Sequence, residues 1–490
     1  MYEGGTPSFA LAHPLPQGCY FTKMRHTIIA ILFYLNAIPV LSMDAYVHID
    51  SIVISGNKKT RREIVLRELP FRQGDSLLVA ELEGKLLAAE RWLMNSGLFN
   101  RARVFFHNWE GASNKIQLQV ELEEAWYFYP VPLFELADRN FNVWWVDYRR
   151  SFERVNYGLD FLYRNSTGRS DRLNISLKQG YSEMLLLQYT LPYLNAAKTL
   201  GVSMNHLYAR NREVNYATID NKQAFFRLED DFSITRFASN FALVYRPNLA
   251  KYYRLSLGYI QNEISSKVQE SLGVDVFLNG DTVQRYFSLG VSYTADYRDA
   301  RPYPMQGTYF WAEAKKDGLG VFNDRNALTL WADYQRYFPF GESPFNLAVS
   351  AKGKISLIRE QQPYNDYRAI GYQRNTLRGY EYYVVDGLDM VLFKSSFRIK
   401  LWEDEVKFGK IIPIAAFRKV PFKFMLTLNS DWGFANDPWN MFQNSFNRHL
   451  LWGRGVGLDT VILFNFVLRI EASMNHIGET GLFFHFNTNL

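Results

Sequence analysis

Two short segments place charge where it has structural consequences. Leu377-Arg378-Gly379-Tyr380 lies in a long polar connection that also holds Gly371-Tyr372, and Asp431-Trp432-Gly433 ends an alternating stretch from Phe424 to Ser430. In that stretch Phe424, Leu426, Leu428 and Trp432 share one face of a strand, leaving Asp431 on the wetter face. A carboxylate in a confined polar space favours a guanidinium, whose fork of donors matches it. Arg378 is therefore the expected partner of Asp431, in a charge-assisted contact with bidentate capacity. Taken singly, each residue reads equally well as a solvated loop charge or a strand-end aspartate. A third segment, Asp296-Tyr297-Arg298-Asp299 with Pro304 and Gly307 beyond it, closes an alternating run that begins near Val283. Phe287, Leu289, Val291 and Tyr293 face one way there, so Asp296 and Arg298 fall on the water side, where opposite charges satisfy one another. The aspartates alone would suit a calcium turn; Arg298 among them argues against a metal.

None of this is catalytic machinery. There is no G-x-S-x-G, since Gly180-Tyr181-Ser182-Glu183 fails the pattern, no H-E-x-x-H among the 8 histidines, and no GxxxxGK[ST] phosphate loop. No enzyme activity, cofactor or metal is expected. The net charge of +6 is spread without a basic block, so no nucleic-acid partner is expected either. The single cysteine, Cys19, precedes an apparent export signal, and a processed chain would have neither disulfides nor cysteine metal sites.

The elements that must carry these residues fall into three parts. From Met24-Arg25-His26, an apolar run of about 13 residues leads to Ser42, the shape of a secretory signal; a single membrane anchor is the alternative, but a spanning helix needs roughly 20 residues. Residues 1–43 are assigned to this signal and its N-terminal extension. Residues 44–125 read as a small α/β unit. Val47 and Ile49 begin a strand that turns at Gly56-Asn57, and Thr60-Arg61-Arg62-Glu63 has the form of a capping box ahead of a short helix with Ile64, Val65 and Leu69. After Gly74-Asp75, Leu82, Leu86, Ala89 and Leu93 recur at helical spacing up to Gly97, and two strands follow, with Phe99 in the first and Ile116 to Leu122 alternating in the second.

Residues 126–490 show no convincing amphipathic helix. Period-two stretches recur instead: Leu173, Ile175 and Leu177 against polar neighbours, then Leu255 and Leu257, then Leu347, Val349 and Ala351. Aromatic residues make up 16% of the 490-residue chain while charged residues hold at 21%, a balance that suits strands with one greasy face. Beyond the first 45 positions no apolar run reaches the roughly 18 residues of a spanning helix. At roughly 23 residues per strand and turn, the length gives about sixteen strands, an even number as in bacterial transmembrane barrels. Trp126-Tyr127-Phe128-Tyr129 and Trp144-Trp145 would suit its interfacial girdle.

The order β-α-α-β-β of the first unit, with corners at Gly56-Asn57, Gly74-Asp75 and Gly97-Leu98-Phe99, resembles a POTRA (polypeptide-transport-associated) domain. The barrel motifs resemble the BamA/TamA superfamily of outer-membrane assembly factors and translocases. In that family an Arg-Gly-aromatic loop tip enters the barrel and meets an Asp-x-Gly strand, matched by Arg378-Gly379-Tyr380 and Asp431-Trp432-Gly433; the Asp-x-Arg-Asp, Pro, Gly pattern is matched by Asp296, Arg298, Asp299, Pro304 and Gly307. The strand after the loop keeps only Arg398 of the family's Glu-x-Arg, so no third partner for Arg378 is assigned, and Asn429 stands where an aromatic is usual. The resemblance implies a mainly β protein: an antiparallel transmembrane barrel in the bacterial outer membrane behind one periplasmic POTRA-like domain. It also implies work on unfolded outer-membrane or secreted polypeptide clients without nucleotide hydrolysis, with the lipid bilayer and accessory assembly proteins as further partners. The closing strands of such a barrel would be Trp126 to Asp138 and Gly481 to Phe486. A transporter for one dedicated secreted partner and a passive pore are the alternatives.

Overall fold

The computed structural model describes residues 45–488 apart from 111–112, 139, 274, 323, 373–374, 408–418, 440–443 and 463–465. The export signal expected between Met24 and Ser42 lies outside the described residues. The N-terminal unit contains β1 (Tyr46–Ser55), α1 (Arg62–Arg67), β2 (Ser76–Leu78), α2 (Val79–Asn95), β3 (Phe99–Glu110) and β4 (Lys115–Glu124). Its sheet runs β2-β1-β4-β3, with β1 and β4 parallel. The three-residue β2 was not expected, because so short a segment has no period to detect.

Helical spacing decides the packing. Leu82, Leu86, Ala89 and Leu93 of α2 join Val47, Ile49, Ile116, Leu118 and Val120 of the sheet in one core, each large side chain contributing about 1.5–3 kcal/mol by leaving water. At the first corner Gly56 holds φ +88°, and a Cβ there would lie 1.8 Å from Leu122 O. Asn57 Nδ2 donates to Thr60 O, Asp75 Oδ2 accepts from Arg72 N, Gly74 and Gly97 hold positive φ, and Phe99 is buried.

The capping box does not form. α1 starts after Arg61 with no side-chain cap. Thr60 Oγ1 instead lies 2.9 Å from Tyr127 OH and accepts from Asn165 Nδ2, while Glu124 Oε1 takes the Thr60 amide. Tyr127 and Asn165 belong to the junction with the next domain, and they override the local pattern.

The sixteen-stranded antiparallel sheet comprises, first, β5 (Phe128–Leu136), β6 (Val155–Arg164), β7 (Arg172–Gly180), β8 (Ser182–Leu191) and β9 (Leu200–Asn211). It continues with β10 (Ile234–Tyr245), β11 (Lys251–Ile264), β12 (Val283–Asp296), β13 (Gly307–Asp317), β14 (Ala327–Pro339) and β15 (Phe345–Ser356). The last strands are β16 (Asp389–Lys407), β17 (Lys419–Asn436), β18 (Leu451–Ile462), β19 (Phe466–Asn475) and β20 (Thr480–Thr488). Leu255, Leu257, Leu289 and Val291 are exposed on its outer face, while Ser288 and Ser292 are buried inside, the alternation that hydrocarbon outside and polar groups inside demand. Asp431 lies within β17 and does not end it, because its ladder with β16 continues to Asn436.

The aromatic girdle is only partly as expected. Trp126 and Phe128 are exposed, but Tyr127 is buried in the N-terminal core. Trp144 and Trp145 lie on a short helix, α3 (Phe141–Val146), after β5, with Trp144 packed against Phe141 and Phe152.

The N-terminal unit docks on one end of the barrel. Glu68, buried at the end of α1, accepts from Arg246 Nη1 (2.6 Å) and Nη2 (2.9 Å) and from Tyr193 OH (2.5 Å). Burial alone would raise the Glu68 carboxyl; the Arg246 guanidinium and the Tyr193 hydroxyl outweigh it and hold the group below the ordinary carboxylate value. Arg67 donates to Lys198 O and Arg246 O, and Asn95 Nδ2 to Asp299 O. The turns touched here, 192–199, 246–250 and 297–306, therefore share one end, and the long connections share the other. At that second end a hairpin (Glu213–Ile219 with Lys222–Arg227) roofs the barrel. Thr218 Oγ1 donates to Asp386, Asn221 O accepts from Val384 N, and Asn221 Nδ2 donates to Ser445 Oγ.

Candidate functional site

The connection 357–388 folds back into the barrel from the roofed end. Tyr367, Ile370, Leu377 and Tyr380 are buried, three of them in a core with Met390 and Leu392 of β16 and Leu451 of β18. Lys354 Nζ fixes both arms of the connection by donating to Arg368 O (3.1 Å) and Gly387 O (3.0 Å).

At the tip, Arg378 Nη1 donates to Asp431 Oδ1 at 2.6 Å and Arg378 Nε donates to Glu471 Oε2 at 2.9 Å. Both carboxylates are fully buried. The guanidinium thus bridges two strands, β17 and β19, and does not fork on one carboxylate. Glu471 was not anticipated. The alternation of β19 marks it as inward, but nothing in its neighbourhood pairs it with a residue 93 positions away. Asn429 Nδ2 donates to Glu471 Oε2 at 2.9 Å and to Thr427 Oγ1, so the amide in place of the usual aromatic orients the second carboxylate. Lys394 stands opposite Asp431 in the β16–β17 register.

The backbone of the tip approaches the wall closely. Gly379 O accepts from Asn475 Nδ2 at 3.1 Å, and a Cβ on Gly453 would lie 1.8 Å from Arg378 O. Any side chain at Gly453 would displace the tip. Gly433 faces Ile370 and Leu377, and Tyr380 OH donates to Trp452 O and bonds His476 Nδ1.

The Asp296 segment forms a separate cluster at the docked end. Arg298 Nε and Nη2 fork on Asp296 at 2.8 and 2.9 Å, and Asp299 Oδ1 accepts from Met305 N. Gly307 holds φ +111° beside Tyr297 O. Pro304 O accepts from Arg398 Nη1 at 2.8 Å, so the surviving arginine of β16 secures this turn and takes no part with Arg378. Tyr303 OH reaches Asp459 at 2.9 Å, where Arg469 forks on the same carboxylate.

At the ends of the sheet, β5 pairs with β6 and β20 with β19, and among the described residues no ladder joins β5 to β20. A side chain stands in part of the gap. Asn142 of α3 accepts from Phe484 N at 3.2 Å, its Nδ2 lies 3.5 Å from Phe484 O, and the Phe141 ring packs edge-on against Phe484. Asn140 Nδ2 donates to Glu381 O, which ties α3 to the inserted connection.

Residues 165–389 match the Omp85 superfamily domain, and residues 47–125 match the POTRA model, described as a surface antigen variable number repeat. The chain carries an Omp85 superfamily domain behind a POTRA unit. It is an outer-membrane β-barrel with a periplasmic POTRA unit, of the group that inserts or translocates polypeptides. The docked end therefore faces the periplasm and the roofed end the exterior. BamA from Haemophilus ducreyi lacking POTRA domains 1–3 shares the fold, at 12% identity and TM-score 0.50 over 90% of this chain and 84% of that one. CdiB from Acinetobacter baumannii aligns at 14% identity and TM-score 0.47 (90% and 74% covered). CdiB from Escherichia coli aligns at 10% and 0.48 (96% and 97% covered). No curated protein matches the chain.

Proposed function

We propose that the protein assists insertion of β-rich client polypeptides into the outer membrane by pairing them at the seam between β5 and β20, without nucleotide hydrolysis. The observation that carries this reading is the seam itself: two strand edges that, among the described residues, share no ladder, with one backbone N–H met by a side-chain amide. Unpaired backbone groups are costly in hydrocarbon, so such an edge accepts a strand readily, and the client's own burial and pairing supply the free energy. The buried inserted connection and its ion pairs speak against a passive pore, which has no use for a filled lumen.

Depletion followed by quantification of the outer-membrane proteome tests the reading. Loss of several barrel proteins is the expected result. An unchanged membrane proteome with one secreted protein missing would replace insertion by export of a dedicated partner.

A further inference from the structure

The outer face of β15–β20 is dented. Ser395, Ser430 and Ala472 are small there, and a groove of about 890 Å³ opens among Leu347, Phe397, Leu428, Val456 and Leu482. It spans six strands, about 24 Å across at ~4.8 Å per strand, wider than one acyl chain. Its upper margin lies at the exterior end, because β18 descends from the connection 437–450 and Arg454 is the fourth residue of that strand.

Arg454 is exposed on this lipid-facing surface, with Ser430 and Met474 as its register partners. Its guanidinium lies 4.5 Å over the Trp452 ring, which stacks on Trp432 at 5.4 Å and donates from Nε1 to Ser430 Oγ at 3.0 Å. The side chain thus rises to the indole level, where headgroups lie. Its recorded hydrogen bond goes to Met474 Sδ, and among the described residues no carboxylate lies within ion-pair distance. A fixed cation above an apolar groove, facing a bilayer, calls for a ligand with an anion at the headgroup and chains below.

We propose that this groove is a binding site for a phosphorylated, multi-chain lipid of the outer leaflet, its phosphate on Arg454 and its acyl chains between Leu428, Val456 and Leu482. A guanidinium fork matches phosphate oxygens in two parallel bonds, which a lysine cannot reproduce. The Trp432–Trp452 stack and the Trp452–Ser430 bond hold the arginine's platform in place, so the site is prepared before the lipid arrives.

The full chain in lipid nanodiscs, exchanged with diphosphoryl six-chain lipid A and weighed by native mass spectrometry, provides the test. The wild type is expected to retain one lipid A, and Arg454→Met to lower retention at least tenfold, with Arg454→Lys between them. Removing the phosphates from the lipid should bring wild-type retention down to the Arg454→Met level. Ala472→Phe, which fills the groove and leaves Arg454 in place, should also lose the lipid; heat-modifiable gel migration confirms that each barrel is folded. Equal retention by wild type and Arg454→Met, retention independent of phosphate, or full retention by folded Ala472→Phe overturns the proposal.

Discussion

Replacing Arg378 by Met removes the guanidinium but keeps most of the stem, leaving Asp431 and Glu471 buried without the cation that lies between them. Breaking a buried pair by deleting one partner costs about 3–5 kcal/mol, mostly the penalty of the stranded charge. Here one deletion strands two carboxylates, while Lys394, opposite Asp431, offers partial compensation, so the middle of that range is expected. That corresponds to about three orders of magnitude in the equilibrium between docked and released loop tip. Hydrogen exchange of the amides from Leu377 to Tyr383 reads this equilibrium directly, with the β11–β12 ladder as internal reference. The triple variant Arg378→Met, Asp431→Asn, Glu471→Gln removes the stranded charges and should recover most of the protection. Unchanged exchange in the single variant, or a triple variant no better protected than the single one, would show that the bridge does not hold the loop.

Three further outcomes are expected. Gly453→Ala places a methyl against Arg378 O and should destabilise the docked tip by about 1–3 kcal/mol, measured as faster exchange of the same amides with the N-terminal unit unaffected. The clasp between the N-terminal unit and the barrel depends on pH through Glu68, whose carboxyl is depressed in the folded protein. Its contribution is complete above the ordinary value of 4.5 and is lost as pH falls through the lower folded value, so cross-linking across the junction should fall in that window and Glu68→Gln should flatten the profile. Asn142→Leu removes the amide from Phe484 and should speed exchange at Phe484 selectively; protection equal to wild type would mean that the amide does not guard the edge.

Much of the architecture was legible because it rests on periodicity. The strand alternation and the Leu82, Leu86, Ala89, Leu93 spacing both report burial, and burial is what the fold satisfies first. The Arg378–Asp431 pair was legible because a charge on the inner face of a strand requires a counter-charge. What escaped was decided by tertiary partners. Thr60 has the local pattern of a cap, which does not form, and a non-local role at the junction, and the sequence displays only the first. Glu471 and Asn142 sit in segments whose pattern gives their face but not their opposite number. Trp144 and Trp145 have the composition of a girdle, yet they lie in a connection too short to show a helical period.

The hairpin that stitches Asp386, Val384 and Ser445 together ties a crown across the exterior end. A cylinder crowned in this way, its lumen occupied by the connection 357–388, favours exchange through its flank or its base. Cells making the protein should therefore stay impermeable to small hydrophilic antibiotics while it works, and only removal of both the crown and the inserted connection should admit them.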